Sequence, residues 1–106
     1  MKRGEVYWFT FKLPDKRRPV LILTRDSALG FLQGVVVAPI TTNIRNISSE
    51  VYLDEKDGML EPCVVNFDNL VTVPIARLDR RICSLTLLRM LEVENAISFA
   101  LGFLQH

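Results

Sequence analysis

The chain is poor in the residues that most often carry chemistry. It has a single histidine, His106 at its last position, and two cysteines, Cys63 and Cys83, which stand apart without Cys-x-x-Cys spacing. That scarcity excludes a zinc site of the usual imidazole and thiolate kind and a dithiol redox pair. It also excludes histidine as the activator of a nucleophile, because a terminal side chain is poorly held. Both cysteines read as buried thiols in a reducing cytoplasm. Long apolar runs are missing too: the stretch Ala96 to Leu104 is about half a membrane span, so no membrane partner is expected. Lys2 and Arg3 precede an apolar run, Val6 to Phe9, that is too short for a signal peptide and breaks at Thr10 and Lys12. The Gly-x-x-x-x-Gly-Lys phosphate loop and the Gly-x-Ser-x-Gly elbow are absent. An enzyme built on this chain has to work with Arg, Thr, Ser and carboxylates.

What is present is a chain of 106 residues, 49% hydrophobic, which is the size of one domain (1–106) with one core. Such a chain buries roughly 65% of its unfolded surface, enough to dispense with metal or disulfide staples. The net charge is only +1, yet the charges are segregated. From Met1 to Arg45 there are eight basic residues (Lys2, Arg3, Lys12, Lys16, Arg17, Arg18, Arg25, Arg45) and three acidic ones (Glu5, Asp15, Asp26), a net of +5. From Asn46 to Asp68 one Lys meets six acids, a net of −5. If the fold keeps the first stretch on one face, that face attracts phosphates while the total hides it. The alternative is a set of ordinary solvated charges mixed in space.

The first three quarters read as strands. Glu5 to Phe11 alternates Val6, Trp8 and Thr10 with Tyr7, Phe9 and Phe11, a period-two pattern of β-favouring residues. Arg18 to Thr24 carries its proline at the tolerated place near the start. Gly34 to Thr42 is continuously apolar over most of its length and so is expected to be buried on both faces. Ser49 to Leu53, Cys63 to Phe67 and Leu70 to Val73 complete the set. The connections are Leu13 to Arg17, Asp26 to Gln33, Asn43 to Ser48 and the acidic Asp54 to Pro62. Short strands joined by polar turns with no helix between them form no parallel sheet; they predict a small, strongly bent antiparallel barrel.

Helix is expected at the end. Thr86 is the N-cap, and Met90, Val93, Ile97, Ala100, Leu101 and Leu104 recur at helical spacing. Leu88, Ala96, Phe99 and Phe103 form a second stripe, more than a helix lying on one barrel requires. The surplus calls for a partner surface or for a deeply buried helix. Pro74 to Asp79 reads as a further short helical turn before Arg80 and Arg81.

Three polar segments sit at strand ends, where loops converge and sites are assembled. Lys16-Arg17-Arg18 leads into a strand, so its extended backbone sends Arg17 and Arg18 to opposite sides. Thr41-Thr42-Asn43 ends the apolar third strand, and Asn66-Phe67-Asp68-Asn69 ends the fifth. Singly, each has an ordinary structural reading: a solvated basic turn, a hydroxyl capping a strand end, an Asx turn.

Taken in order, Arg3-Gly4-Glu5-Val6-Tyr7-Trp8, Arg17-Arg18-Pro19-Val20-Leu21-Ile22-Leu23, Val35-Val36-Val37-Ala38-Pro39-Ile40-Thr41 and Asp68-Asn69-Leu70-Val71-Thr72-Val73 closely resemble the MazF/PemK family of toxin endoribonucleases. The ending, Leu85-Thr86 through Ala96 to Leu101-Gly102-Phe103, is similar to that family's C-terminal helix, so the resemblance covers nearly the whole chain. It implies a mainly β fold, an SH3-like barrel with a C-terminal helix. It also implies the toxin of a type II toxin-antitoxin system: a homodimer that cuts single-stranded RNA at particular sequences and is restrained by a cognate antitoxin protein. By the same resemblance the catalytic Arg before Pro-Val falls on Arg18 and the catalytic Thr falls on Thr41. Lys16, Arg17, Thr42, Asn43, Asp68 and Asn69 are the RNA-binding candidates around them, with Phe31 as a further surface for bases; Trp8 could offer another but is assigned first to core packing.

The chemistry suits the residues. RNA carries its own nucleophile, the 2′-hydroxyl, so no metal or cofactor is expected. An Arg fork matches the nonbridging oxygens of the transition state, and a Thr hydroxyl can donate to the phosphate or the leaving group. A guanidinium is effectively always protonated, so Arg18 is given an electrostatic role rather than that of a base. The chain departs from the family in two places. The loop Leu13 to Arg17 is shorter than usual, and Asn69 and Val71 stand where the family has Gln and Arg, so substrate sequence does not carry over. Two other readings belong to the same fold: a gyrase-poisoning toxin, which resembles a Trp-Gly-Ile ending that this chain lacks, and a non-catalytic SH3-like binding module.

Overall fold

A computed structural model describes residues 1–12 and 16–103. The first three residues of the expected turn Leu13 to Arg17, together with Leu104 of the apolar stripe, Gln105 and His106, lie outside the described residues. Among the described residues seven strands form: β1 (Glu5–Thr10), β2 (Arg17–Ile22), β3 (Gly34–Thr41), β4 (Glu50–Leu53), β5 (Cys63–Asn66), β6 (Val71–Pro74) and β7 (Arg81–Ser84). One helix follows, α1 (Leu87–Ala100). The six strands read from periodicity are all present, with ends shifted by one or two residues.

Every pairing is antiparallel, in the order β4-β5-β3-β2-β1-β7, with β6 paired to β3 beside that path. The eight-residue β3 is the spine on which the sheet curls into a half-barrel. Its start pairs with β6, its middle with β2 and its last two residues, Ile40 and Thr41, with β5. The curl gives the sheet two apolar faces. Phe9, Val20, Ile22, Val35, Val37 and Val73 form one core. Val6, Leu21, Ala38, Ile40, Leu53, Val65 and Phe67 form the other, which α1 covers. β3 therefore is buried on both sides as expected, apart from Val36, which is partly exposed. Each fully buried side chain of this size contributes roughly 1.5–3 kcal/mol.

β7 has no counterpart in the sequence reading. Arg81-Ile82-Cys83-Ser84 offers only two apolar residues beside an arginine, and it becomes a strand by pairing with β1 across a register shift at Val6/Tyr7. The pairing is fixed by a buried carboxylate: Glu5 accepts from Arg81 Nη1 at 3.1 Å, from the Tyr7 hydroxyl at 3.0 Å and from the Lys2 N–H at 2.8 Å. Burial pushes the Glu5 carboxyl up, but these donors outweigh it and hold it below the ordinary carboxylate value.

The helix begins where expected, with Thr86 Oγ1 accepting from the Arg89 N–H at 3.2 Å. Its buried face differs from the expected stripes. Val93 and Ala96 are buried, with Met90, Ile97 and Ala100 packed beside them. Ala96, assigned to the surplus stripe, belongs to this face, and Leu101, assigned to the core stripe, is exposed because the helix has already ended. The expected turn at Pro74 to Asp79 contains a single 3-10 turn, Ile75–Arg77. Cys63 is buried but Cys83 is only half-buried, at the margin under the 54–62 loop.

Candidate active site

The β2–β3 register, Val20↔Pro39 through Ile22↔Val37, places Arg18 opposite Thr41 when continued by two residues. The ladder itself ends at Val20↔Pro39, and what the two residues share beyond it is the lining of the same cavities. Two cavities open on either side of them, of about 380 Å³ and about 460 Å³, and Arg18 and Thr41 line both. They form the shared wall of the rim.

Arg17 and Arg18 diverge as the extended backbone requires. The Arg17 guanidinium lies 4.4 Å from the Trp8 ring centroid, and its Nη2 donates to Asp79 Oδ2 at 2.8 Å. Arg18 is half-buried and has no hydrogen-bond or ion-pair partner for its side chain among the described residues. Thr41 Oγ1 accepts from the Asn43 N–H at 3.1 Å. With the oxygen so held, the Thr41 hydroxyl hydrogen is left to donate into the cavity.

The smaller cavity gathers Lys16, Arg17 and Thr42 around that pair, and the larger gathers Asn43 and Asn69. Two expected contributors stand elsewhere. Asp68 lines neither cavity and accepts the Ser49 hydroxyl at 2.6 Å, while its own N–H bonds Asn66 Oδ1 at 2.9 Å, the Asx turn that ends β5. Phe31 is exposed beside the short turn after β2 and lines neither cavity. Trp8 does line the smaller one, beneath Arg17.

Sequence reasoning missed a whole wall of the smaller cavity: Met59, Leu60 and Glu61, from the acidic loop between β4 and β5. Nothing local marks these residues, since an acidic loop reads as a solvated turn. The loop is tightly held. Asp54 Oδ1 accepts from the Lys56 N–H at 2.9 Å and Asp57 Oδ2 from the Asp54 N–H at 3.0 Å. Gly58 adopts φ +99°, a left-handed conformation in which an added Cβ would also stand 2.7 Å from Cys83 Cβ. From α1, Arg89 grips Asp57 with both arms of its fork, Nε to Oδ1 at 2.9 Å and Nη2 to Oδ2 at 3.2 Å. Burial pushes the Asp57 carboxyl up, yet Arg89 and the Asp54 N–H outweigh it and hold it below its ordinary value. The larger cavity gains Arg45, whose Nε pairs with Glu50 at 3.2 Å.

Counted over both linings, the described cations Lys16, Arg17, Arg18 and Arg45 face one carboxylate, Glu61. The rim is therefore positive, as the charge segregation allowed, and suited to phosphates. The buried Cys63 thiol is no nucleophile here: burial, with neighbouring carboxylates, pushes it up to about 11. Among the described residues no group of three or more His, Cys, Asp or Glu could hold a metal ion.

Residues 2–101 match the family model described as "PemK-like, MazF-like toxin of type II toxin-antitoxin system". An endoribonuclease MazF3 of Mycobacterium tuberculosis is 43% identical over 88 residues, covering 83% of this chain and 82% of that protein. Among solved structures, the Mycobacterium tuberculosis toxin MazF-mt6 superposes with a TM-score of 0.85 at 38% identity, covering 92% of this chain and 96% of that one. An endoribonuclease in complex with its cognate antitoxin, from a mycobacterial species, gives a TM-score of 0.87 at 26% identity, covering 100% and 99%.

Proposed function

Because the chain belongs to the PemK-like, MazF-like toxins of type II toxin-antitoxin systems, we propose that it cuts single-stranded RNA at the rim shared by Arg18 and Thr41. It is an endoribonuclease of the MazF type, the toxin half of its system. One observation carries the proposal: a half-buried guanidinium without a partner among the described residues and a hydroxyl that accepts a backbone N–H line both of two cavities whose described linings hold four cations and one carboxylate.

The 2′-hydroxyl of one nucleotide attacks the adjacent phosphate, and no metal is needed because the nucleophile is already in place on the substrate. Arg18 faces the nonbridging oxygens, whose negative charge grows in the transition state, and Thr41 donates to the phosphate or to the departing oxygen. Lys16 and Arg17 hold flanking phosphates, and Thr42, Asn43 and Asn69 offer polar groups to the bases. Asp68 enters this reading only as a support of the β5 turn. Cleavage is expected to persist in EDTA and to stop when the nucleotide 5′ of the cut carries a 2′-deoxy sugar. Undiminished cutting of the deoxy substrate removes the 2′-hydroxyl mechanism.

The partners are a cognate antitoxin and a second copy of the chain. What supports them is the apolar face that α1 turns outward, with Leu87 and Leu88 79% and 75% exposed and Leu91 50% exposed. A 12.1 kDa particle in light scattering at micromolar concentration would remove the dimer. Among the described residues no helix is long and apolar enough to cross a membrane.

A further inference from the structure

The reaction needs a group to take the proton of the attacking hydroxyl, and neither Arg18 nor Thr41 can serve: a guanidinium has no lone pair to offer, and an alcohol is a poor base at neutral pH. Among the described residues, the acidic side chains around the rim can be sorted by what already occupies them. Asp79 holds Arg17, Asp57 holds Arg89 and Asp68 accepts from Ser49. Glu61 lines the same cavity as Arg18 and Thr41 and has no hydrogen-bond or ion-pair partner among the described residues. It is the sole carboxylate in the described lining of either cavity.

The turn just before Glu61 is braced: Asp54 and Asp57 cap each other, the Met59 N–H donates to the Asp54 carbonyl at 3.2 Å, and Arg89 from the helix grips Asp57, so the exposed Glu61 reaches the cavity from a segment tethered two residues upstream. The groups facing it are Lys16, Arg17 and Arg18 from β2 and its approach, and Cys63 from β5; Trp8 of β1 and Ile82 of β7 bring no charge. An ionised carboxylate among these groups has free lone pairs with which to accept a proton.

We propose that Glu61 is the general base of RNA cleavage, an inference that rests on the placement of the reaction at the Arg18–Thr41 rim. The 2′-hydroxyl gives its proton to the Glu61 carboxylate as its oxygen bonds to phosphorus. The P–O5′ bond breaks with its electron pair going to the 5′ oxygen, which takes a proton from water. The hydroxide left behind collects the proton from Glu61. The products are a 2′,3′-cyclic phosphate and a free 5′-hydroxyl.

The test is single-turnover cleavage of one RNA across pH by the wild type, Glu61→Gln, Glu61→Asp and Arg18→Ala, with binding of the 2′-deoxy RNA measured in parallel. Glu61→Gln is expected to lose about 10²–10⁴ in rate and to lose the acid-side fall of the wild-type profile, while binding of the deoxy RNA stays within about threefold. Glu61→Asp, with its shorter reach, is expected to keep the acid-side fall and recover part of the rate. Retained binding certifies that each variant is folded. If Glu61→Gln cuts at nearly the wild-type rate with the same profile while Arg18→Ala is inactive, Glu61 is not the base and the rim assignment stands. If Arg18→Ala is fully active as well, the rim assignment falls and takes this inference with it. A rate loss matched by an equal loss of binding makes Glu61 a substrate contact and overturns the proposal.

Discussion

The 54–62 loop where it meets α1 and the rim where β2 meets β3 use charge in opposite ways. At the junction, acids and cations satisfy one another: Asp57 is enclosed by Arg89 and the Asp54 N–H, and Arg89 reaches on to Glu92 at 3.0 Å. At the rim, Arg18 lines the same cavities as Thr41 with its guanidinium uncommitted among the described residues, and Glu61 is equally unpaired. The first arrangement stabilises the fold, whereas the second leaves its charges unspent, which is what the proposed substrate site requires. The difference teaches how to separate binding groups from supports in a chain with 24% charged residues: ask which charges are already satisfied.

The comparison breaks most visibly at Arg18. Arg18→Lys keeps the charge but not the planar fork, so a transition-state clamp predicts a loss of roughly 2.7–4 kcal/mol, about 10²–10³ in rate. Thr41→Ala is expected to fall comparably, and both variants should unfold at the wild-type urea concentration because neither residue belongs to a core cluster. Mild effects on rate would reduce the rim to a simple electrostatic attractor.

The junction should respond the other way round. Arg89→Ala is expected to lower stability by about 1.5–3 kcal/mol, since a carboxylate with little exposure loses its charged donors. Because the Asp57 carboxyl is held below its ordinary value, its contribution is complete above about pH 4 and is lost as pH falls through the folded value. Urea titrations from pH 7 downward should therefore show the gap between wild type and Arg89→Ala closing in acid. A gap that persists unchanged at the lowest pH would show that Arg89 acts through packing instead.

The smallest effect is expected at Arg17, which touches both regions of behaviour: it is paired, but on the surface. Arg17→Lys keeps the charge beside Asp79 and should change the cleavage rate by less than about threefold. A loss as large as that at Arg18 would mean that the Trp8-stacked guanidinium also contacts the reacting phosphate.

Much of this was readable before any fold was known, for local reasons. Period-two alternation in Glu5 to Phe11 marks a strand and the continuous apolar run after Gly34 marks one buried on both faces; both are strands, β1 giving Val6 to one core and Phe9 to the other, and β3 contributing to both. Thr86 announced the helix start because a cap acts within one turn. The positions of Lys16, Arg17, Arg18, Thr41 and Thr42 at strand ends were equally plain. That Asp68 and Phe31 line neither cavity is not legible in the sequence, because exposed polar or aromatic character does not say what lies across from a residue.

Periodicity, caps and breakers determined that this chain would be a bent antiparallel sheet closed by one C-terminal helix, since each depends on neighbours within a few residues. Only the tertiary structure decided that Arg81–Ser84 becomes a strand, that Arg18 and Thr41 line the same cavities, and that Glu61 joins one of those linings from a loop held by Arg89. Those facts depend on the β2–β3 register, on the partner offered by β1 and on a contact between a loop and a helix far apart in sequence. Each is settled by packing summed over the whole core, which no local stretch of residues encodes.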